Sequence, residues 1–387
     1  MKYVDEFRDP EAARAIAACI RDAVEPGRVY RLMEFCGGHT HALCRFGLED
    51  LLPDQVRMIH GPGCPVCVLP VGRLDMAIDL VTARPDVILA TYGDLMRVPG
   101  TDGQTLLGAR SRGGDVRMVY STVQAVDMAA THPDREVVFM AIGFETTTPP
   151  TAAAVKMAAE RGLTNFSVFC NHVLTPAAID AIMTTGGGAT GARLDGFVGP
   201  GHVSTIIGAD AYAGAAAKWN KPIVIAGFEP NDLMQSILQL VRQVNACEAR
   251  VENTFARAVR DGGNAKAIAL CEEVFAIREA FEWRGLGAIP HSALRLSDIF
   301  KGFDAEDRFA MAYISRPDHK ACACAQILRG EKTPRDCTVF ATACTPEHPL
   351  GSCMVSPEGA CAAHYLYGRF RDTGRAGEAP ARGVAAE

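Results

Sequence analysis

Through most of this chain, apolar residues fall into short runs stopped by glycine or a polar turn, separated by stretches with apolar positions at helical spacing. PEAARAIAACIRDAV (10–24) has the helical spacing, Val29 to Phe35 reads as a strand, and Cys36 to Phe46 reads as a loop opening into a short helix. Val56 to His60 is the next expected strand, followed by a helix over Arg73 to Val81 and a strand over Val87 to Thr91. A fourth strand is expected over Val116 to Tyr120, with a helix from Val123 to Thr131. The plan then repeats. Glu136 to Ile142, Phe166 to Cys170, Asp195 to Val198 and Pro222 to Ala226 read as strands. Thr151 to Arg161, Pro176 to Met183 and the long stretch Leu233 to Ala246 read as helices, with GGGATGARL as a turn.

Strands alternating with helices predict a mostly parallel sheet covered on both faces. An apolar strand followed by Gly-Phe-Glu occurs twice, at 143–145 and 227–229, which suggests an internal repeat. The expected architecture is two similar Rossmann-like parallel-sheet α/β domains, 1–132 and 133–281, facing each other across a cleft. From Glu282 onward turns multiply, and 282–370 reads as a small cysteine-rich C-terminal domain. The polar, Gly/Ala-rich end, 371–387, reads as a disordered tail.

Composition narrows the function. The chain of 387 residues has a formal net charge of −6 and no basic stripe to neutralise phosphates, which argues against a nucleic-acid partner. No apolar stretch has transmembrane length and the N-terminus has no apolar signal core, so a cytoplasmic protein is expected. Fourteen cysteines in a reducing compartment point to reactive or metal-bound thiols rather than a disulfide framework. Cys19, Cys170, Cys247 and Cys271, in apolar or helical surroundings, read as small buried hydrophobes. The glycine-rich GGGATG and GPGHVS segments lack a Walker lysine and a dinucleotide fingerprint, so no nucleotide is expected to bind.

Candidate chemistry gathers where strands end. Glu34-Phe35-Cys36-Gly37-Gly38-His39-Thr40-His41 and Gly61-Pro62-Gly63-Cys64-Pro65-Val66-Cys67 each close an apolar run with glycines and cysteine, where open α/β sheets place their ligands. A Cys-x-x-Cys in this context is redox-active or metal-binding, and a helix starting near Cys64 would favour its thiolate. With Cys36, three sulfurs could bind iron or zinc, or two could shuttle between dithiol and disulfide. His39 and His202 could polarise or protonate a leaving group, or simply satisfy backbone carbonyls. Glu145 and Glu229, one in each Gly-Phe-Glu, could accept hydrogen bonds from a partner or orient a histidine. Cys322, Cys324, Cys337, Cys344, Cys353 and Cys361 are spread through turns, a spacing better suited to a cuboidal [4Fe–4S] cluster than to zinc.

These motifs resemble the HypD family of [NiFe]-hydrogenase maturation proteins. The runs 34–41, 61–67, 143–149, Asn171 to Pro176, 199–204 and 227–232 and the cysteine-rich end all carry the likeness, over about residues 10 to 370. The resemblance implies a scaffold on which an iron ion carrying cyanide and CO ligands, the Fe(CN)2CO group, is assembled. It implies work with a HypC-type small chaperone and a HypE-type cyanide donor, with a HypF-type carbamoyltransferase upstream. On this reading the protein is monomeric alone and heteromeric in the assembly complex. The resemblance assigns Cys36 as an iron ligand and Cys64/Cys67 as an essential redox pair. The family's spacing of fourteen, six and sixteen intervening residues places the [4Fe–4S] ligands on Cys322, Cys337, Cys344 and Cys361. Cys324 and Cys353 are left as a second redox pair. Two other functions fit the thiols: an iron–sulfur-dependent disulfide reductase acting on a protein partner, and a non-catalytic platform with a structural cluster. Cys36 discriminates, since a simple reductase does not need a third thiol flanked by Gly-Gly-His.

Overall fold

The computed structural model describes residues 5–186 and 194–369. Most of the GGGATGARL turn and the whole of the 371–387 tail lie outside the described residues. The expected strands form, as β1 (Tyr30–Glu34), β2 (Val56–His60), β3 (Val87–Thr91), β4 (Asp115–Met118), β5 (Glu136–Gly143), β6 (Phe166–His172), β7 (Gly196–Gly199) and β8 (Ile223–Ile225). A ninth, β9 (Val251–Asn253), has a sequence too short and polar to stand out. The expected fourth strand ends early, and Tyr120 beyond it is largely exposed.

The strands make two all-parallel sheets, ordered β2-β1-β7-β8-β9 and β4-β3-β5-β6. Two parallel α/β sheets with a cysteine-rich end is the expected architecture, but the sheets do not divide the chain at residue 132. The second sheet is built from one continuous stretch, β3 to β6, inserted between β2 and β7 of the first. Its strands β3 and β5 pair directly across that boundary, Val87 with Glu136 through Ala90 with Phe139. Local periodicity identifies strands and carries no information about which strands pair, and the pairing sets the boundary.

Each sheet buries both faces, as a parallel sheet with crossover helices must. In β5, Val137, Phe139 and Ala141 pack with Ala152 and Val155 of the Thr148–Glu160 helix, while Val138, Met140 and Ile142 face the other way. In β1, Leu32 packs against Ile237 and Val241 of the Pro230–Asn245 helix, and Met33 faces the opposite core. The inward faces of both sheets share one apolar core with the C-terminal segment, including Trp283, Cys324, Cys353 and Met354. Two antiparallel pairs lead into that segment: β10 (Phe275–Ile277) with β13 (Leu294–Leu296), and β11 (Ala280–Trp283) with β12 (Gly287–Pro290).

Buried Arg73 on the Val71–Ala83 helix locks these layers together. It donates to Asn171 Oδ1 at 2.6 Å, to the Cys170 carbonyl at 2.9 Å, and through both terminal nitrogens to Glu306 at 2.8 and 2.7 Å. Its guanidinium lies 4.2 Å from the Phe169 ring centroid, and Arg278 also pairs with Glu306. Arg73→Met would leave Asn171 Oδ1 without its donor, the Cys170 carbonyl with only the longer bond from Arg278 at 3.4 Å, and Glu306 with one cation fewer. A loss of about 3 kcal/mol is expected in urea unfolding, and Arg73→Met with Glu306→Gln should cost clearly less than the two single changes summed.

Candidate functional site

The carboxyl ends of β1 and β2 place the two cysteine motifs side by side. Cys36 is the N-cap of the Gly37–Phe46 helix, and Cys64 is the N-cap of a short helix, Pro65–Val68. The Gly37 amide donates to the Gly63 carbonyl at 3.0 Å. A side chain at Gly63 would meet the Cys36 amide nitrogen at 2.4 Å, so this close approach requires glycine. Cys64 and Cys67 are disulfide-bonded, with Cα atoms 5.2 Å apart. The helix starts at Cys64 as expected, and the bond to Cys67 occupies the thiol that its N-terminus would activate.

Cys36 is buried, and burial first, with the charges of Glu358 and Glu34 adding, pushes its thiol up to about 12. Its sulfur lies 3.8 Å from Nδ1 of His202, which follows β7 on the Gly201–Ile207 helix. His202 keeps an exposed flank, is stacked on Phe228 at 3.9 Å between centroids, and partial desolvation lowers its pKa. Phe228 also packs 5.0 Å from the ring of His39. His39 is fully buried with its pKa down to about 4, so it is neutral at pH 7. Its Nε2 hydrogen-bonds the Ala226 carbonyl at 3.1 Å, and its Nδ1 is buried without a partner.

Glu34, at the end of β1, sits beneath this cluster with no exposure. It accepts from the Cys36 amide at 3.0 Å, from the Thr40 hydroxyl, and from His60 Nδ1 at 3.1 Å. His60 Nε2 continues to His364 Nε2 at 2.8 Å. Burial opposes a charge on His60, and the hydrogen bond and charge of Glu34 overcome it, so its pKa is raised.

The structure does not bring the two Gly-Phe-Glu carboxylates into this cluster as free acceptors. Glu229 caps the Pro230–Asn245 helix and is paired with Arg8. Glu145 accepts from the Thr175 amide at 2.8 Å and from its hydroxyl at 2.9 Å. His172, at the end of β6, is spent on the Gly143 carbonyl at 3.3 Å and Thr151 Oγ1 at 2.9 Å. Of the cysteines expected to be buried hydrophobes, Cys170 is buried and Cys271 half-buried, whereas Cys19 and Cys247 are exposed. Cys19 falls on the outward side of its helix, between buried Ala17 and Ile20, and Cys247 has positive φ just past a helix end.

The C-terminal thiols converge on one cavity, lined by Cys322, Cys324, Cys337, Cys344, Cys353 and Cys361 with Phe340 and Met354. Burial raises the pKa of Cys322 to about 11 and that of Cys361 well above its ordinary value, and each feels the charges of the neighbouring thiols. Cys324 and Cys353 are disulfide-bonded, with Cα atoms 6.2 Å apart. Among the described residues, no group of three or more His, Cys, Asp or Glu is arranged to hold a single metal ion. No helix among them is long and apolar enough to cross a membrane.

Sequence reasoning passed over Glu34, Phe228, Ser352 and Glu358. The first has a visible signal, an acid ending an otherwise apolar strand just before Cys36. Glu358 has none: it reaches Cys36 from more than 300 positions away, its Cβ standing where a side chain on Gly37 would be, at 2.5 Å.

Residues 11–368 match the family model HypD, described as "Hydrogenase formation hypA family". The chain is 61% identical to the hydrogenase maturation factor HypD of Azotobacter vinelandii, over 96% of this chain and 98% of that one. It is 58% identical to its counterpart in Cupriavidus necator, over 96% and 98%. It is 44% identical to that of Escherichia coli K12, over 95% and 98%. By this similarity the chain is a hydrogenase maturation protein, of a class that serves metallocentre assembly. Within that class, the chain belongs to the HypD family.

Burial raises the Glu145 carboxyl to about 7 against the pull of its Thr175 hydrogen bonds. The folded state thus favours the protonated form, a contribution present below the ordinary carboxylate range and lost as pH rises through about 7. Urea-unfolding stability should fall by about 2–3 kcal/mol between roughly pH 5 and 8 through this group. Glu145→Gln, which stays neutral and can still pair with Thr175, should flatten that part of the profile.

Proposed function

We propose that this chain is the scaffold on which an iron ion acquires its cyanide and CO ligands, with Cys36 as an iron ligand beside the Cys64/Cys67 redox pair. The observation that carries the reading is the contact of the Cys36 loop with the Cys-x-x-Cys loop, through Gly37 and Gly63, with His202 at 3.8 Å from the Cys36 sulfur. A thiol held near pKa 12 stays protonated until a cation arrives, so Cys36 releases its proton as it binds iron. His202, neutral and with an exposed flank, is placed to take that proton. Strong-field cyanide and CO favour low-spin ferrous iron, which soft thiolates complement.

Cyanide arrives on the sulfur of a HypE-type donor, and its transfer requires two electrons. The reduced Cys64/Cys67 dithiol supplies them: the donor's S–C bond breaks, the donor leaves as a thiol, cyanide passes to iron, and Cys64 and Cys67 close their disulfide. Of the two thiol protons, one goes to the donor sulfur and the other is released as cyanide binds iron. A HypC-type chaperone shares the iron, and a HypF-type enzyme charges the donor upstream. The protein stands alone as a monomer and works in the heteromeric complex, in the cytoplasm. Four thiols around one apolar cavity fit a [4Fe–4S] cluster, in which each thiolate binds a different iron, better than a single ion. Cys322, Cys337, Cys344 and Cys361 would hold it, and when bound it supplies electron transfer beside the Cys324/Cys353 pair.

Infrared spectra of the anaerobically co-purified protein and small chaperone should show cyanide and CO stretches that vanish in Cys36→Ala. Their absence from the unaltered complex, with a reducible iron–sulfur centre intact by Mössbauer spectroscopy, would instead favour a disulfide reductase.

A further inference from the structure

Ser352 stands between the two disulfides and touches both. Its hydroxyl donates to the Cys67 carbonyl at 3.0 Å and lies 3.6 Å from the Cys324 sulfur. Its own carbonyl lies 4.0 Å from the Cys67 sulfur. Ser352, Cys67, Cys324 and Cys353 are all essentially inaccessible to solvent, so a direct exchange between the pairs would run inside the core. The sulfurs that Ser352 touches are those of Cys67 and Cys324, one from each pair. Cys64 follows Gly63, which abuts Cys36, and Cys353 lines the C-terminal cavity together with Cys324.

We propose that Ser352 is a positioning residue that joins the two thiol pairs and directs exchange to one pair of sulfurs, Cys67 and Cys324. The assignment rests on the reading of Cys64/Cys67 as a pair that must be reduced again after each transfer. With Cys324 and Cys353 reduced by an electron donor (a dithiol such as dithiothreitol in the test below), the Cys324 thiolate attacks the Cys67 sulfur. A Cys67–Cys324 bond forms, the Cys64–Cys67 bond breaks, and Cys64 leaves as a thiolate. Cys353 then attacks Cys324, restoring the Cys324–Cys353 disulfide and freeing Cys67. Two electrons pass from the C-terminal pair to the pair beside Cys36, and the proton count is unchanged. Ser352 contributes by fixing the approach, because exchange requires the attacking sulfur to line up with the bond it breaks.

The experiment uses the full-length chain, without chaperone or cargo. Cys64→Ser/Cys353→Ser retains the two sulfurs beside Ser352, and Cys67→Ser/Cys324→Ser retains the other two. Each is reduced with dithiothreitol, desalted and mildly oxidised, and the cross-link is followed by peptide mass spectrometry. Cys67–Cys324 should form at least about tenfold faster than Cys64–Cys353. Adding Ser352→Ala to the first variant should slow its cross-link by about tenfold, with the glutathione equilibrium of each native pair in Ser352→Ala alone unchanged and the urea midpoint lowered only as far as one lost buried hydrogen bond requires. Equal rates for the two cross-links would overturn the proposal, as would full-speed cross-linking in the Ser352→Ala background. Should that background fail to fold, the comparison of the two cysteine variants still decides. The readout involves no iron, cyanide or infrared band, so its failure and that of the scaffold reading are separate results.

Discussion

The organising constraint is the contact between two loops, where the Gly63 backbone lies against the Cys36 backbone and the Gly37 amide bonds to the Gly63 carbonyl. Both loops leave the carboxyl ends of adjacent parallel strands, paired from Tyr30 with Val56 to Glu34 with His60. Parallel pairing brings strand ends to the same edge, and the glycines let the loops close to contact distance. The relative placement of Cys36 and the Cys64/Cys67 pair is therefore set by the backbone, before any side-chain packing is considered. The same pairing puts His60 beside Glu34, so the hydrogen bond under the site is a consequence of register.

Burial then sets the electrostatics. Desolvation disfavours the charged forms of Cys36, His39 and Glu145, each shifted in the direction that burial dictates for its charge type. His60 departs from that pattern because buried Glu34 pairs with it. On the proposed reading, a metal bound here would displace one proton for each thiolate it takes, and the exposed flank of His202 would offer that proton a way to solvent. The Ala226 carbonyl for His39 and the amide and hydroxyl of Thr175 for Glu145 satisfy buried atoms without adding charge.

The strands, and the residues at their ends, were legible because alternation and glycine punctuation are local signals. Cys36, Cys64 and Cys67 were found this way, and the cysteine-rich end by composition. Which strands share a sheet was not legible, since β3 pairs with β5 and β1 with β7 through contacts far apart in the chain. The Gly-Phe-Glu repeat was read correctly as a strand followed by a helix, and its two glutamates nevertheless do different work. Glu229 meets Arg8 and its own helix end, while Glu145 meets Thr175. A repeated motif fixes local geometry, and its side chains take their roles from whatever the rest of the chain brings to them.

The insertion of the second sheet accounts for how distant thiols come together. Because β3 to β6 depart after β2 and the chain returns at β7 beside β1, the inward faces of both sheets pack on one core, and the C-terminal segment fills it. Arg284 fastens that segment to the redox loop, its amide donating to the Val68 carbonyl at 2.8 Å and its Nε to the Leu69 carbonyl at 2.7 Å. Ser352 makes a link one residue earlier, at the Cys67 carbonyl. With the successive carbonyls of Cys67, Val68 and Leu69 at the end of the Pro65–Val68 helix all bonded to the C-terminal segment, backbone and side-chain hydrogen bonds together hold the spacing between the two disulfides. Small errors in that spacing would cost exchange rate steeply, so the proposed exchange between buried sulfurs requires the kind of continuous core that holds them here.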